Sequence, residues 1–330
     1  MIPVAEFRVP SARRNLNVNL KLVGSNCNMR CQYCYEHDTP EWAGEPLDPR
    51  HVETFIEALP SDVSVRFVLH GGEPLLYPKD MMQSLLQMIA ARLPDRHQFH
   101  IQTNGTLLDA DWLGLLSAAA PEMVISISAD PPGGGELRRL PGRDFSAVLR
   151  QQLQFAIDRG ATVGIVSVAH RGNLHSFPSF LSELVAMRVR YLTITKLRRN
   201  HHERKLSNVL APSEQEFVNL LQTIGTQWIN QRLFEQIQIQ PLMSLLSPSA
   251  NRICIFDSSP EKCSEFISLY PGGWISGCDH LAGAAPKFLP ACSTCSIYNW
   301  CGGGCLGEER DPTFCEARFQ LKAFVEGVSI

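Results

Sequence analysis

The chain has 330 residues, 44% of them hydrophobic and 19% charged, with a formal net charge of −3. This composition can bury a large core, and it lacks the basic stripe that a nucleic-acid-binding surface needs. No signal peptide begins the sequence, and no apolar run reaches the length of a membrane span. We therefore expect a cytoplasmic protein that binds neither nucleic acid nor membrane.

Strand-like and helix-like segments alternate six times along the first two thirds of the chain. The predicted strands cover residues 15–23, 63–70, 98–104, 123–128, 161–169 and 191–197. The predicted helices cover about 48–59, 79–93, 109–119, 146–159, 176–187 and 213–234. This rhythm predicts parallel strands with helices packed outside them. Because six units fall short of the eight in a closed barrel, we expect an α/β fold with an open, partial (β/α)6 TIM-like barrel.

The texture of the sequence changes after Pro241, where Pro, Gly, Ser and Cys become frequent and periodicity fades. We predict an N-terminal segment (1–15), the partial barrel (16–200), a bridging helical region (201–250) and a small cysteine-rich domain (251–330). Without a dense core, such a small domain needs metal to hold it together.

Eleven cysteines are distributed unevenly: three lie before residue 35, none between 35 and 253, and eight after 253. In a reducing cytosol, metal or redox chemistry explains them better than disulfides. We therefore expect two metal-bearing regions separated by a scaffold without cysteines.

Three motifs directly follow predicted strands: the NCNMRCQYCY stretch at 26–35, the HGGEP stretch at 70–74, and QTNGT at 102–106. The C-terminal ends of parallel barrel strands share one rim, where active sites form. The first motif offers only Cys27, Cys31 and Cys34, one ligand fewer than an ordinary zinc or iron–sulfur site uses. Either these thiols are part of a zinc site, or one metal position is left open for another molecule.

The spacing C-x3-C-x2-C after the first barrel strand, followed by GGEP after the second, resembles the radical S-adenosylmethionine (radical SAM) family. This resemblance implies that Cys27, Cys31 and Cys34 bind a [4Fe–4S] cluster whose unique iron is chelated by SAM. One electron then cleaves the sulfonium to a 5′-deoxyadenosyl radical, which abstracts hydrogen from an unactivated carbon.

The same resemblance implies a set of SAM-binding positions. In the family the GGEP loop binds the methionyl amine, and Glu73 would supply a negative partner for it. Asp130 accompanies a serine that follows the fourth strand, and Arg138 is an alternative to the neighbouring arginine. The implied cofactor-binding residues are Tyr33, Gly71, Gly72, Glu73, Asn104, Ser128, Arg139 and Leu197.

The late cysteines follow a pattern that resembles the SPASM domain, which carries two auxiliary [4Fe–4S] clusters. By this resemblance one cluster takes Cys254, Cys263, Cys278 and Cys305, and the other takes Cys292, Cys295, Cys301 and Cys315. Together with the first site, three clusters use all eleven cysteines. The alternative for these cysteines is a pair of zinc ribbons. The alternative to an enzyme is a non-catalytic iron–sulfur or zinc scaffold that binds a partner.

SPASM enzymes mostly modify peptides and proteins. His70 before GGEP resembles maturases that cross-link a ribosomal precursor peptide through a cyclophane carbon–carbon bond or a thioether, and we favour that function. The alternative is an anaerobic sulfatase-maturating enzyme that makes formylglycine, because those enzymes place their proposed general base at the position of Asp279. Either function needs an external electron donor of the flavodoxin or ferredoxin type.

About fifteen residues precede the first predicted strand, too few for the winged-helix module with which many such maturases bind a leader peptide. A basic run at 196–205 lies just after the sixth strand, where it could attract an acidic peptide. The alternative is an ordinary solvated loop.

Overall fold

The structure is a computed structural model, and it describes residues 1–9, 14–38, 45–132, 137–142, 145–198, 209–246, 253–259, 261–281 and 289–328. The chain divides into two compact units. The first unit contains Met1–Ser128, Arg138–Val163 and Ser264–Gly283, and the second contains Ala129–Leu137, Gly164–Cys263 and Ala284–Ile330. Because these compact units do not test domain boundaries, the four-part division expected from the sequence stays a prediction.

Strands and helices alternate through most of the described chain. The strands are β1 (Ile2–Pro3), β2 (Asn15–Lys21), β3 (Ser64–His70), β4 (His97–Thr103), β5 (Val124–Ser128), β6 (Val163–Ala169), β7 (Tyr191–Lys196), β8 (Gln238–Gln240), β9 (Phe266–Tyr270) and β10 (Trp274–Ser276). The helices are α1 (Pro49–Glu57), α2 (Lys79–Arg92), α3 (Ala110–Ala119), α4 (Phe145–Asp158), α5 (Phe177–Ala186), α6 (Glu214–Asn230), α7 (Leu242–Leu246), α8 (Tyr298–Cys301) and α9 (Phe314–Glu326). No helix in these described ranges is long and apolar enough to cross a bilayer.

The first unit is built on parallel strands whose carboxyl ends meet at one edge. Its strand order is β1-β10-β9-β2-β3-β4-β5, in which β9, β2, β3, β4 and β5 run parallel to one another and β10 is antiparallel to both β9 and β1. Lys21 at the end of β2 pairs in register with His70 at the end of β3. The loops that carry the cysteines and the GGEP stretch therefore begin side by side.

The second unit contains the parallel strands β6, β7 and β8, in that order. Helix α6 packs against α9 and α5, and it buries Phe217, Leu221 and Trp228. Packing of an amphipathic face in this way supplies most of the stability of a helix in a protein.

The helix starts expected from the sequence form as capped ends. The side chain of Asp48 accepts a hydrogen bond from the Arg50 amide, and the side chain of Asp109 accepts one from the Trp112 amide. At α6, Ser213 and Glu216 form a reciprocal capping box. Each cap satisfies amide groups that a helix leaves without partners in its first turn.

The six predicted strands and six predicted helices are confirmed to within a few residues. The sequence does not predict β9, which lies between two cysteines in a stretch without periodicity. Ile267 and Leu269 of β9 are buried, and the strand extends the first unit's sheet beside β2. Five residues are too few for a periodic pattern to stand out from a Ser- and Gly-rich background.

A buried charge cluster joins β7, α6 and α9 in the second unit. The Lys196 ammonium lies 3.0 Å from a Glu214 carboxylate oxygen and 3.1 Å from one of Glu308. The Nε of Arg318 lies 2.6 Å from the other Glu214 oxygen, without the angle of a hydrogen bond. Burial alone would raise the pKa of Glu214, but Arg318 and Lys196 outweigh it and lower the pKa.

We expect Glu214→Ala to lower the free energy of unfolding by about 3–5 kcal/mol, because it leaves two buried cations without their shared anion. Urea unfolding followed by circular dichroism measures this loss. The matched control is Glu235→Ala, which breaks the exposed Arg232–Glu235 pair and should cost less than about 1 kcal/mol. Equal losses in the two variants would contradict this account of the cluster.

Candidate functional site

The three early cysteines lie in the loop after β2, and none of them forms a disulfide. Burial raises the pKa of Cys27 to about 11 and that of Cys34 to about 12, and the charges of the neighbouring thiolates add to both shifts. The loop turns between the last two cysteines, where the Cys34 amide donates to the Cys31 carbonyl at 3.2 Å. A bound metal cluster would supply the positive charge that ionises such thiols.

The GGEP stretch packs directly on the residues just before Cys27. The Gly72 amide donates to the Gly24 carbonyl at 2.7 Å, and the Glu73 amide donates to the Asn26 carbonyl at 2.8 Å. A Cβ on Gly72 would lie 1.9 Å from the Asn26 oxygen, and Gly71 adopts a φ of +99°. The glycines are thus required for contact between two loops of the protein itself.

Glu73 is fully buried and turned into the protein. One carboxylate oxygen accepts hydrogen bonds from the Leu75 amide and the Thr103 hydroxyl, at 3.0 and 2.6 Å, and the other accepts one from the Asn104 amide at 2.8 Å. Burial outweighs these donors and raises the pKa of Glu73 to about 7. The Glu73 side chain therefore joins the loops after β3 and β4, instead of pairing with the ammonium of a ligand as the sequence predicts.

Asn104 connects the loop after β4 to the cysteine loop. Its side-chain amide donates to the Asn28 oxygen at 2.8 Å and lies 3.7 Å from the Cys27 sulfur. The Met29 amide also donates to that sulfur, at 3.3 Å. Hydrogen bonds of this kind to cysteine sulfur tune the iron–sulfur clusters that such thiolates hold. The three motifs therefore meet at one rim, as the sequence predicted.

Both candidate arginines lie against the cysteine loop. The Arg139 carbonyl accepts from the Arg30 amide at 2.8 Å, and its guanidinium lies 2.7–3.1 Å from the Gln32 side-chain amide. The Arg138 guanidinium lies 5.4 Å from the centre of the Tyr33 ring. The structure thus places Tyr33 and the two arginines at the site, and it does not choose between Arg138 and Arg139.

The remaining candidates lie at strand ends. Ser128 ends β5 and is buried. In the second unit, the Asp130 carboxylate accepts from the Val168 amide at 2.8 Å, and the Leu197 amide donates to the Ala169 carbonyl. Gly133, Gly134 and Gly135, and residues 199–205 of the basic run, lie outside the described residues.

Asp279 belongs to a buried group that we call the Lys21 cluster: Lys21, Glu36, His70 and Asp279. The Lys21 ammonium contacts one Glu36 oxygen, lies 2.8 Å from an Asp279 oxygen and lies 3.3 Å from the His70 Nδ1. The Ser268 and Tyr270 hydroxyls donate to the other Asp279 oxygen at 2.5 and 3.1 Å.

Charge balance in the Lys21 cluster keeps both carboxylates ionised. Burial alone would raise the pKa of Asp279, but Lys21 and Ser268 outweigh it and hold the pKa well below its usual range. Burial alone would raise the pKa of Glu36 as well, and Lys21 again outweighs it. The Asp279 carboxylate is therefore held in an ion pair with Lys21.

The sequence reasoning missed Lys21 and Glu36, although a signal was present. Asn15, Asn17, Asn19 and Lys21 occupy one face of a strand at the centre of a parallel sheet, where both faces are usually apolar. Asn19 also lies 3.4 Å from an Asp279 oxygen. A polar face on such a strand indicates inward-facing functional side chains.

None of the late cysteines forms a disulfide, and they fall mainly in the second unit. The charge of Cys305 raises the pKa of both Cys254 and Cys263. The charge of Cys292 raises the pKa of Cys301, which packs in a small core with Ile297 and Phe314. Cys278 belongs to the first unit.

The donor sets at both regions are thiols, which suit iron–sulfur clusters and zinc alike. In the parts of the chain that are described, no three His, Cys, Asp or Glu side chains converge on a position for a single metal ion. The thiols of Cys27 and Cys34 fit a cluster in their donor type, their spacing and their sulfur-directed amides.

Comparison with known proteins gives a family for part of the chain. Residues 22–172 match the family model of the Radical SAM superfamily. A serine-type anaerobic sulfatase-maturating enzyme of Klebsiella aerogenes is 24% identical over 332 residues, covering 88% of this chain and 79% of the relative.

Solved structures are similar over nearly the whole chain. Native anSMEcpe with bound AdoMet and the Cp18Cys peptide has a TM-score of 0.73 at 16% identity, covering 95% of this chain and 97% of that one. Streptococcus suis SuiB bound to the precursor peptide SuiA has a TM-score of 0.62 at 14% identity, covering 90% and 75%. These likenesses confirm the α/β partial barrel.

We expect Gly72→Ala to destabilise the protein by more than about 2 kcal/mol, because its methyl group displaces the backbone at Asn26. Gly114→Ala, in α3, is the matched control, since a Cβ there meets no atom within 4 Å. The control should be neutral or up to about 1 kcal/mol stabilising, because Ala favours helix. Urea unfolding of both variants measures the change in the free energy of unfolding. No change in Gly72→Ala would contradict the loop contact.

We expect Glu73 to make stability fall as pH rises from its ordinary pKa of 4.5 to its folded pKa of about 7. A raised folded pKa means that the folded state binds more protons in this window, so its contribution is complete below 4.5 and lost above 7. The loss is about 3 kcal/mol. Urea unfolding of wild type and Glu73→Gln at pH 5 and pH 8 isolates it: the advantage of wild type should shrink with pH, and a constant difference would refute the shift.

Proposed function

We propose that this chain, whose residues 22–172 match the family model of the Radical SAM superfamily, is a radical SAM maturase that oxidises a side chain of a peptide or protein substrate. The observation that carries the proposal is the convergence of Cys27, Cys31 and Cys34 with the GGEP and QTNGT loops at one rim. The whole-length likeness to a sulfatase-maturating enzyme and to structures with bound peptide supports a substrate of this class.

In this proposal Cys27, Cys31 and Cys34 hold a [4Fe–4S] cluster and leave one iron open for SAM. When bound, the cluster and SAM supply a 5′-deoxyadenosyl radical that takes hydrogen from a substrate carbon. The residues proposed to bind SAM are the backbone of Gly71, Gly72 and Glu73, with Tyr33, Asn104, Ser128, Arg139 and Leu197. The Glu73 side chain orients that backbone, because its own oxygens accept from Leu75, Thr103 and Asn104.

The proposed outcome of the reaction is formylglycine, made from a Cys or Ser side chain. This choice differs from the cross-link favoured by His70 alone, and it rests on the sulfatase-maturating relatives and on Asp279. Lys21 holds Asp279 ionised, so the carboxylate is ready to accept a proton. Its low pKa makes it a weak base, which suits the acidic proton of a substrate that is losing an electron.

Peptide cross-linking is the second candidate, and His70 is the observation that favours it. His70 is nearly buried, and its Nδ1 lies 3.3 Å from Lys21 and 3.5 Å from Glu36. The residue before GGEP is therefore part of the same polar cluster as Asp279. A different partner at this position would change the charge balance of the cluster, and with it the chemistry that it supports.

We further propose that the late cysteines bind two auxiliary [4Fe–4S] clusters, in the sets Cys254, Cys263, Cys278 and Cys305, and Cys292, Cys295, Cys301 and Cys315. The effect of the Cys305 charge on Cys254 and Cys263, and of the Cys292 charge on Cys301, supports the grouping of these members of the two sets. The two auxiliary clusters would accept the electron that the substrate loses, and an external donor of the flavodoxin or ferredoxin type would supply the electron that cleaves SAM. A cytoplasmic location would supply the reducing conditions that free thiols need.

Anaerobically reconstituted protein with dithionite and SAM should release 5′-deoxyadenosine, and Cys27→Ala should release none. The protein should then be co-expressed with each sulfatase and short peptide encoded beside its gene, and the products analysed by mass spectrometry. A hydrazide probe separates the two candidate outcomes, because formylglycine carries an aldehyde and a cross-link does not. We expect hydrazide capture, and Asp279→Asn should keep 5′-deoxyadenosine release while losing the aldehyde.

Other outcomes would overturn parts of this proposal. Loss of two hydrogens without hydrazide capture, and with fragmentation blocked between two residues, would replace formylglycine by a cross-link. Absence of 5′-deoxyadenosine from protein that contains iron would refute the enzyme and support a scaffold. Two zinc ions in place of iron at the late cysteines would select the zinc-ribbon alternative.

A further inference from the structure

We propose that Arg198 and Lys262 form a fixed pair of cations that raises the reduction potential of the cluster held by Cys254, Cys263 and Cys305. The proposal rests on the auxiliary clusters of the proposed function, and it assigns residues that neither the cysteine spacing nor the SAM motifs include. All five residues lie in the second unit. The cation pair would make this cluster an electron acceptor.

Arg198 contacts a cluster cysteine directly. It follows Leu197 at the end of β7, and its Nη1 lies 3.2 Å from the Cys305 sulfur, within hydrogen-bond distance. Its charge also lowers the pKa of Cys254 and Cys263, against the effect of their burial. One guanidinium therefore acts on three thiols, and it remains protonated at any pH the protein meets.

Lys262 is the residue before Cys263, and its ammonium binds the carbonyl of Gly304, the residue before Cys305. It is 1% exposed, and its ammonium donates to the Gly302 and Gly304 carbonyls at 2.5 and 2.8 Å. Among the residues that the structure describes, no carboxylate forms an ion pair with it.

The backbone holds this lysine in place. Gly302 and Gly304 have φ angles of 62° and 74°, which turn their carbonyl groups towards the ammonium. A Cβ on Gly302 would lie 2.3 Å from the Asp257 carbonyl oxygen, so the turn whose carbonyl the lysine contacts requires glycine there. A buried ammonium that is held by carbonyl groups is costly unless an anion lies nearby.

Electrostatics determines what the two cations do. Reduction of an iron–sulfur cluster adds one electron and hence one negative charge, and no bond is made or broken in the protein. Fixed positive charge and N–H donors to sulfur stabilise the reduced form more than the oxidised form, so the potential rises. The effect is strong because burial weakens solvent screening.

The test is a redox titration of reconstituted full-length protein, followed by electron paramagnetic resonance. The signal of this cluster is the one that Cys305→Ala removes. At the wild-type midpoint potential, Arg198→Gln should lower the ratio of reduced to oxidised cluster at least tenfold, which is 59 mV for a one-electron couple. Lys262→Met should act in the same direction, and Arg198→Lys should shift the midpoint less.

The matched control is Arg232→Gln, which removes one positive charge from an exposed site in the same unit and should leave the midpoint unchanged. A wild-type midpoint in Arg198→Gln would overturn the inference, and release of 5′-deoxyadenosine by the same protein would leave the proposed function standing. Wild-type protein without a cluster at Cys305 would overturn both this inference and the auxiliary cluster of the proposed function.

A second measurement covers a variant that fails to load iron, because it needs no mutation. Wild-type protein labelled with ¹⁵N in its arginine guanidinium groups should show nitrogen hyperfine coupling to the reduced cluster in pulsed resonance spectra. The short distance from Nη1 to the Cys305 sulfur requires this coupling. Its absence would overturn the inference whatever the variants do.

Discussion

The first site depends on one backbone contact, between the loop after β2 and the loop after β3. Two amide-to-carbonyl hydrogen bonds join Gly72 and Glu73 to Gly24 and Asn26, and a side chain at Gly72 would abolish the contact. This contact places the GGEP loop against the start of the cysteine loop. Glu73 then fixes the third loop by accepting from Thr103 and Asn104. The positions of these loops are well defined because backbone hydrogen bonds join one loop to the other.

Sequence reasoning found the rim because parallel strands direct their following loops to one edge. Strand alternation and capping residues were sufficient to predict this rim, and the cysteine spacing predicted a metal site on it. The sequence predicted that the Glu73 side chain binds a ligand. The motif of two glycines followed by glutamate is the same whether the carboxylate faces a ligand or the protein. Only the positions of Thr103 and Asn104 separate the two cases, and those depend on the fold.

The Lys21 cluster was harder to predict because its members lie on segments far apart in sequence. The sequence predicted a role for Asp279 from its position after Cys278. It gave no reason to single out Lys21, which is the polar residue at the end of a strand. The pairing requires β9 beside β2, which the sequence did not reveal. A buried ion pair is not strong evidence for stability, since desolvation offsets its attraction. Its value here is to keep a carboxylate ionised at a defined place among Asn19, Ser268 and Tyr270.

The two thiol regions differ in the groups that face their sulfur atoms. Cys27 receives neutral donors, from the Met29 amide and the Asn104 side chain, whereas Cys305 receives a guanidinium. Neutral donors favour added negative charge less than cations do, so the same type of cluster would be a stronger reductant at the first region and a better acceptor at the second. A protein that first splits a sulfonium and later collects an electron needs this order of potentials.

The central claim is that the thiols of Cys27, Cys31 and Cys34 hold a cluster with one iron open to SAM. The most direct measurement is the electron paramagnetic resonance spectrum of dithionite-reduced protein with and without SAM. We expect SAM to change the signal that the triple Cys→Ala variant lacks, and SAM labelled with ¹⁷O at its carboxylate to broaden that signal. A signal from this site that SAM leaves unchanged would mean a fully ligated cluster, and it would contradict the account.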